Sequence, residues 1–297
     1  MPKATANGIQ LEYDTFGAPS SQPLLLIMGF AGQMIIWPEE LCNQLAEQGL
    51  YVIRFDPRDV GLSSKLDEAG EPELGKILAA HQRGEEPEMP YTLEDMAADA
   101  IGLLDALSID RAYLCGVAMG GMIAQIAAFR YPSRVSGLIS WMCSTGDPNL
   151  PPGKPEVMAH LLKPSPAERE AYVEKTVSML QAVHGPTFPP DAQLARSIAE
   201  RAYDRGNHAP GIARHAAAIM TAGNRTQALK SITAPTLVIH GAEDPCFPVE
   251  HAKATADAIS GAELVIIEGM GHGLSCPALW PRLVDAIAAH MKANRTP

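Results

Sequence analysis

Four places along this sequence could together do chemistry on a carbonyl carbon. The first follows the apolar run at 112–117 (AYLCGV), in Gly116-Val117-Ala118-Met119-Gly120-Gly121. With serine in place of Ala118 this would be G-x-S-x-G, a sharp strand-to-helix turn. Such a turn lifts a nucleophile above the sheet and aims the next backbone N–H at a developing oxyanion. Its glycines are present, but an alanine methyl cannot attack a carbonyl. The second place is Asp244, in Ala242-Glu243-Asp244-Pro245 after 235–241 (PTLVIHG), where an acid could orient a histidine; alone it also fits an Asp-Pro turn. The third is His272, set between Gly271 and Gly273 after 262–269 (AELVIIEG), where a loop histidine can reach over a sheet. The fourth is Gly29-Phe30-Ala31-Gly32 after 23–28 (PLLLIM), a turn whose Phe30 N–H could be a second oxyanion donor beside that of Met119. Each signal is weak alone. Together they run in the chain order nucleophile, acid, histidine.

Elements that alternate between strand and helix must hold these positions. Residues 9–17, 23–29 and 51–56 read as strands, and 38–48 as a helix. Thr92-Leu93-Glu94-Asp95 resembles a capping box opening a helix that carries Met96, Ile101, Leu103, Leu104 and Leu107 at helical spacing. Strand 112–117, helix 119–130 and strand 135–142 follow, then, much later, strand 235–241, helix 249–259, strand 262–269 and a last helix near 277–291. Such spacing predicts βαβ units and an α/β fold: a mainly parallel central sheet with helices on both faces. Ligands of such sheets bind outside the carboxyl ends of the strands, where all four places fall. Residues 146–230 carry helical stretches, Pro-rich joints and no convincing strand. The expected division is therefore core 1–145, helical cap 146–230 and core 231–297. Residues 66–90 form a shorter polar insertion with room for a brief helix.

On these residues the sequence resembles the α/β-hydrolase superfamily over essentially the whole core, with weaker agreement in the cap. Phe55-Asp56-Pro57-Arg58-Asp59-Val60-Gly61-Leu62-Ser63 resembles the D-x-R-G-x-G-x-S segment of many small esterases, with Asp59 in place of a glycine. Together with Met28-Gly29 where most relatives have His-Gly, it resembles the branch of aclacinomycin methylesterase and the serine-dependent macrolide esterases. That resemblance implies a Ser-Asp-His triad with no metal and no cofactor. Ala118 would hold the serine's place, Asp244 the acid's and His272 the base's, with Phe30 and Met119 as oxyanion donors. It implies a carboxylic ester hydrolase opening the lactone of a macrolide antibiotic, a resistance activity, with a polyketide methyl esterase as the alternative. An intact acid and base around an inert methyl favour an engineered replacement of the serine. A natural binding module that sequesters its ligand, and a different chemistry on the same scaffold such as C–C bond hydrolysis or a cofactor-free haloperoxidase, are the other readings. Cys115, on the strand before the turn, reads as a small buried hydrophobe. Cys246 and Cys276 lie close in sequence to Asp244 and His272 and read as inert thiols, with a redox pair as the alternative.

Composition narrows the partners. The chain has 297 residues, enough to bury a core without disulfide or metal staples. A net charge of −11 repels phosphate backbones and argues against nucleic acid. No apolar run reaches the ~20 residues of a membrane span, and the N-terminus has no signal-peptide core. Five cysteines without a CxxC pair point to a reducing cytoplasm, with no disulfide framework or zinc site. A monomer or homodimer acting on a small-molecule ester is expected. Met34, Trp37, Trp141, Met142, Met220, Phe247 and Leu274 are the candidate substrate-contacting residues, Met being suited to irregular apolar ligands.

Overall fold

The computed structural model describes residues 1–294. Among them are eight strands: β1 (Lys3–Ala6), β2 (Ile9–Phe16), β3 (Gln22–Ile27), β4 (Leu50–Phe55), β5 (Ala112–Val117), β6 (Val135–Trp141), β7 (Thr236–Gly241) and β8 (Glu263–Ile267). They form one sheet in the order β1-β2-β4-β3-β5-β6-β7-β8. The two pairs at one edge, β1 with β2 and β2 with β4, are antiparallel; every other pair is parallel.

Eleven α-helices accompany the strands: α1 (Glu39–Glu47), α2 (Leu74–Gln82), α3 (Leu93–Ala106), α4 (Met119–Arg130), α5 (Pro155–Leu161), α6 (Arg169–Val183), α7 (Ala192–Arg205), α8 (Ala209–Thr221), α9 (Thr226–Leu229), α10 (Glu250–Ala258) and α11 (Trp280–Ala293). The capping box that opens α3 is formed: the Thr92 amide donates to Asp95 Oδ2 at 2.8 Å and the Asp95 amide to Thr92 Oγ1 at 3.3 Å. That satisfies two of the helix's otherwise unpaired donors.

Successive residues of a strand face opposite sides of a sheet. Leu25, Ile27, Ile53 and Leu114 accordingly meet α3 and α4 in one apolar layer. Leu24, Leu26, Val52, Cys115 and Ile139 meet α1 and α11 in the other. The central strands are apolar on both sides because both faces are covered.

Between β6 and β7 the chain makes five helices, α5 to α9, and no strand. Buried polar bonds fasten this helical stretch to the segment after β4. Arg205, at the end of α7, donates to Asp56 at 2.5 Å. Arg214, on α8, makes two bonds of 2.7 Å to the Asp59 carboxylate, with both side chains fully buried. The short insertion carries α2, which packs against α8. No helix among the described residues is long and apolar enough to cross a membrane.

Candidate active site

Ala118 sits between β5 and α4 with φ 53° and ψ −118°, a backbone conformation that costs a non-glycine residue about 1–3 kcal/mol. The surroundings over-determine it. The Ala118 amide donates to Trp141 O at 3.0 Å, and its carbonyl accepts from Met122 N at 3.1 Å. Strand and helix cross so tightly that a Cβ on Gly116 would lie 2.0 Å from Gly120 O. Ala118 is partly exposed, whereas its neighbours Val117 and Met119 are buried. The elbow therefore presents its small side chain to the open end of the sheet. The turn after β3 lies directly against it: a Cβ on Gly29 would be 3.2 Å from Ala118 Cβ and 3.8 Å from Met119 N. This brings the Phe30 loop beside the Met119 amide, as a two-donor oxyanion hole requires. The ring of Phe30 is partly buried against the first apolar layer.

After β7 and β8 the acid and the base meet. His272 Nδ1 lies 2.7 Å from Asp244 Oδ2, so the imidazole donates to the carboxylate and its Nε2 is left for a proton to be taken. Asp244 is fully buried at its side chain, while that of His272 is 15% exposed. Burial opposes the Asp244 charge, but His272, His240 and the Phe247 amide outweigh it and hold the carboxyl below its ordinary range. Its Oδ1 also accepts the amides of Cys246 at 2.8 Å and Phe247 at 2.9 Å.

The His272 loop is pinned from the helical stretch: its amide donates to Val183 O at 2.7 Å, at the end of α6. That approach needs glycine, since a Cβ on Gly271 would fall 2.3 Å from Val183 O. The ring of Phe247 lies 5.7 Å from that of His272.

Asp244, Cys246 and His272 also bring one carboxylate oxygen, one thiol and one ring nitrogen within 4.8 Å of one another. These groups fit a metal poorly. Both carboxylate oxygens are spent on hydrogen bonds, and burial pushes the Cys246 thiol well above its ordinary pKa, away from the thiolate that metals need. Cys115 is fully buried in β5, where burial likewise raises its thiol pKa.

The remaining expected ligand contacts divide. Phe247 reaches the site, as above. Met220 is partly exposed on α8. Trp37 and Trp141 are both fully buried, with ring centroids 5.7 Å apart, in the second apolar layer. Met142 and Leu274 are buried in that same layer, and Met34 packs with Ile35 and Ala202. These five side chains have little or no exposed surface and pack into the walls around the strand ends. Arg214 and His215, both buried on α8 against the loops of the site, were not singled out by sequence reasoning. Their only sequence signal is the Asp59 that replaces a glycine and calls for a cationic partner.

A family model described as alpha/beta hydrolase fold matches residues 22–275. The rhodomycin D methylesterase DauP of Streptomyces sp. (strain C5) is 30% identical, with 97% of each chain covered. The rhodomycin D methylesterase DnrP of Streptomyces peucetius is also 30% identical, again with 97% of each chain covered. The 3-oxoadipate enol-lactonase 2 of Acinetobacter baylyi is 24% identical, over 89% of this chain and 87% of that one. The crystal structure of the enol-lactonase from Burkholderia xenovorans LB400 superposes with a TM-score of 0.72 at 21% identity, covering 98% of this chain and 100% of that one; this likeness is one of fold.

Proposed function

Because the chain belongs to the alpha/beta hydrolase fold family, we propose that it is the scaffold of a serine-type carboxylic ester hydrolase, with Ala118 standing at the nucleophile's place. The observation that carries this reading is the strained elbow at Ala118, which keeps a non-glycine residue at φ 53° beside the Phe30 loop. Strain of this kind persists where a side chain must be held in one position. A serine there would attack the ester carbonyl through Oγ while His272 Nε2 takes its proton. The carbonyl oxygen would become an oxyanion held by the Phe30 and Met119 amides. His272 would then return the proton to the departing alcohol oxygen. Water would release the acid by the same steps in reverse order. Asp244 accepts from the Nδ1–H throughout, fixing the tautomer of the neutral ring and stabilising the imidazolium. None of these proton transfers calls for a metal or an organic cofactor. With a methyl group at position 118 the first bond cannot form, so the chain as it stands binds its ester without turning it over.

The ester is proposed to be the methyl ester of a bulky polyketide. The two rhodomycin D methylesterases, matched along nearly their full length, support this choice. Opening of a macrolide lactone is the second reading, supported by the Arg58-Asp59-Val60-Gly61-Leu62-Ser63 segment, whose resemblance extends to macrolide esterases as well as to methylesterases. The test is mass spectrometry of rhodomycin D and of the macrolide tylosin after incubation with the A118S variant. Loss of one CH2 from rhodomycin D is the expected result. Addition of one water to tylosin would favour the second reading. No change in either compound or in simple esters, alongside tight binding, would leave a non-catalytic binding protein.

A further inference from the structure

We propose that His215, on α8, is a positioning residue for the oxyanion loop: its imidazole holds the Ala31 amide, and with it fixes the peptide that follows Phe30. The inference rests on the ester-hydrolase reading for its catalytic meaning, but its geometry stands apart from that reading. His215 is fully buried. Its Nε2 lies 2.8 Å from Arg58 O, and a carbonyl can only accept, so Nε2 carries the hydrogen. Nδ1 is then a bare lone pair, and the Ala31 amide donates to it at 3.3 Å. Only the neutral Nε2–H tautomer makes both bonds. Burial keeps the ring in that form: it pushes the pKa down to about 4, with Arg58 and Arg214 also opposing a positive charge and only Asp59 and the Arg58 carbonyl favouring one. The Tyr91 ring meets the imidazole edge-on, with centroids 6.3 Å apart.

The loop has reason to need such a hold. Ala31 stands at φ 56°, a left-handed conformation that a non-glycine residue adopts only when its neighbours insist. The preceding residue, Arg214, anchors the same helix turn through its two bonds to Asp59. Two consecutive residues of α8 thus grip both the segment after β4 and the loop after β3. Through them the helical stretch between β6 and β7 sets the aim of an oxyanion donor. Misaiming that donor weakens the transition state more than the bound ester, so the effect belongs in kcat.

Two measurements test this. In the chain as it stands, hydrogen exchange of the Ala31 amide is compared among the parent, H215F and H215N. Phenylalanine keeps the ring's bulk without an acceptor, whereas asparagine keeps an acceptor near the Nδ1 position. Exchange should quicken ~10-fold in H215F and return to within ~3-fold of the parent in H215N. In the A118S background, hydrolysis of p-nitrophenyl butyrate should lose ~10–100-fold in kcat in H215F with KM within ~3-fold, and H215N should recover most of the loss. Where H215F does not fold, H215Q, which keeps a donor for Arg58 O but no acceptor for Ala31, takes its place in both arms. An unchanged Ala31 amide, a loss confined to KM, or equal losses in H215F and H215N would overturn the proposal. If A118S cleaves no ester at all, the ester-hydrolase reading fails, and the exchange measurement still decides whether His215 holds the loop.

Discussion

A methyl group at the end of β5 leaves a histidine and an aspartate with a proton path and nothing to deprotonate. The pair is nonetheless held as a working dyad would be, with the carboxylate buried and its second oxygen tied to two amides. Asp244 stays ionised well into the acid range because its neighbours outweigh the cost of burying it. Replacing it with asparagine in the A118S background removes the charge that stabilises the imidazolium and frees the ring to take the other tautomer. The expected loss in kcat is about 10⁴-fold, read from initial rates on p-nitrophenyl butyrate; a loss below 10-fold would show that His272 does not depend on Asp244. His272→Ala should leave no turnover above the chain as it stands. At this scale the candidates are legible wherever a motif marks a strand end: Ala118, Asp244, His272 and the Phe30 loop are each marked by the apolar run that precedes them. His215 was not, because a buried histidine on a helix shows no sequence sign of what it will face. The burial of Trp37 and Trp141 was not legible either: aromatic residues near strand ends can be wall or core, and packing decides.

Among the elements, α8 does most to join the helical stretch to the sheet. Asp59 stands at φ 70°, where the resembling esterase segment has glycine, and its carboxylate is matched by Arg214. The strained backbone is thus offset by a buried, bidentate ion pair. Removing one partner strands the other charge: Arg214→Met should destabilise the fold by about 3–5 kcal/mol in urea unfolding. The Asp59→Asn, Arg214→Met double variant should be less destabilised than the sum of the singles, and strict additivity would mean the pair is not coupled. The loop bearing His272 offers a second check. Gly271→Ala places a methyl 2.3 Å from Val183 O, so either the end of α6 or the His272 loop must move. A lower melting temperature, together with lost activity in the A118S background, is expected; unchanged values for both would refute the contact. Most strands and helices were readable from periodicity and capping residues to within a residue or two. β1 was not among them: it has the sequence KATA and a largely exposed surface, so no apolar run announces it, and α2 and α5 to α9 were legible only as helical stretches without bounds. The mutual packing of α5 to α9 was not readable either, because it rests on bonds between distant residues such as Arg196 on α7 to Glu170 and Glu174 on α6.

Across the whole molecule, two apolar layers and a sheet covered on both faces make a stable frame, and its acid limit is set partly by buried imidazoles. Burial pushes His215 down to about 4, against an ordinary value near 6.5 in the unfolded chain. Between those values the unfolded chain binds a proton that the folded chain refuses. Stability therefore falls as pH drops from about 6.5 toward 4, and this contribution levels off below. His184 and His240, also lowered chiefly by burial, act in the same direction. The urea midpoint of the parent should thus fall more steeply from pH 7 to pH 4 than that of H215F, with a residual slope remaining in the variant. Parallel slopes would mean that His215 is not buried neutral.

The central claim is that position 118 is the nucleophile's place in an otherwise complete site. The most direct measurement is covalent labelling with a fluorophosphonate ester, whose phosphorus a serine Oγ attacks as fluoride leaves. A working dyad and oxyanion hole are needed for rapid reaction, but knowledge of the natural ester is not. The A118S variant should gain one phosphonyl group, located by peptide mass spectrometry at position 118, and the gain should vanish in the A118S, His272→Ala double variant. The chain as it stands should take up none. An unlabelled A118S variant, or equal labelling of the alanine chain at another residue, would contradict the account.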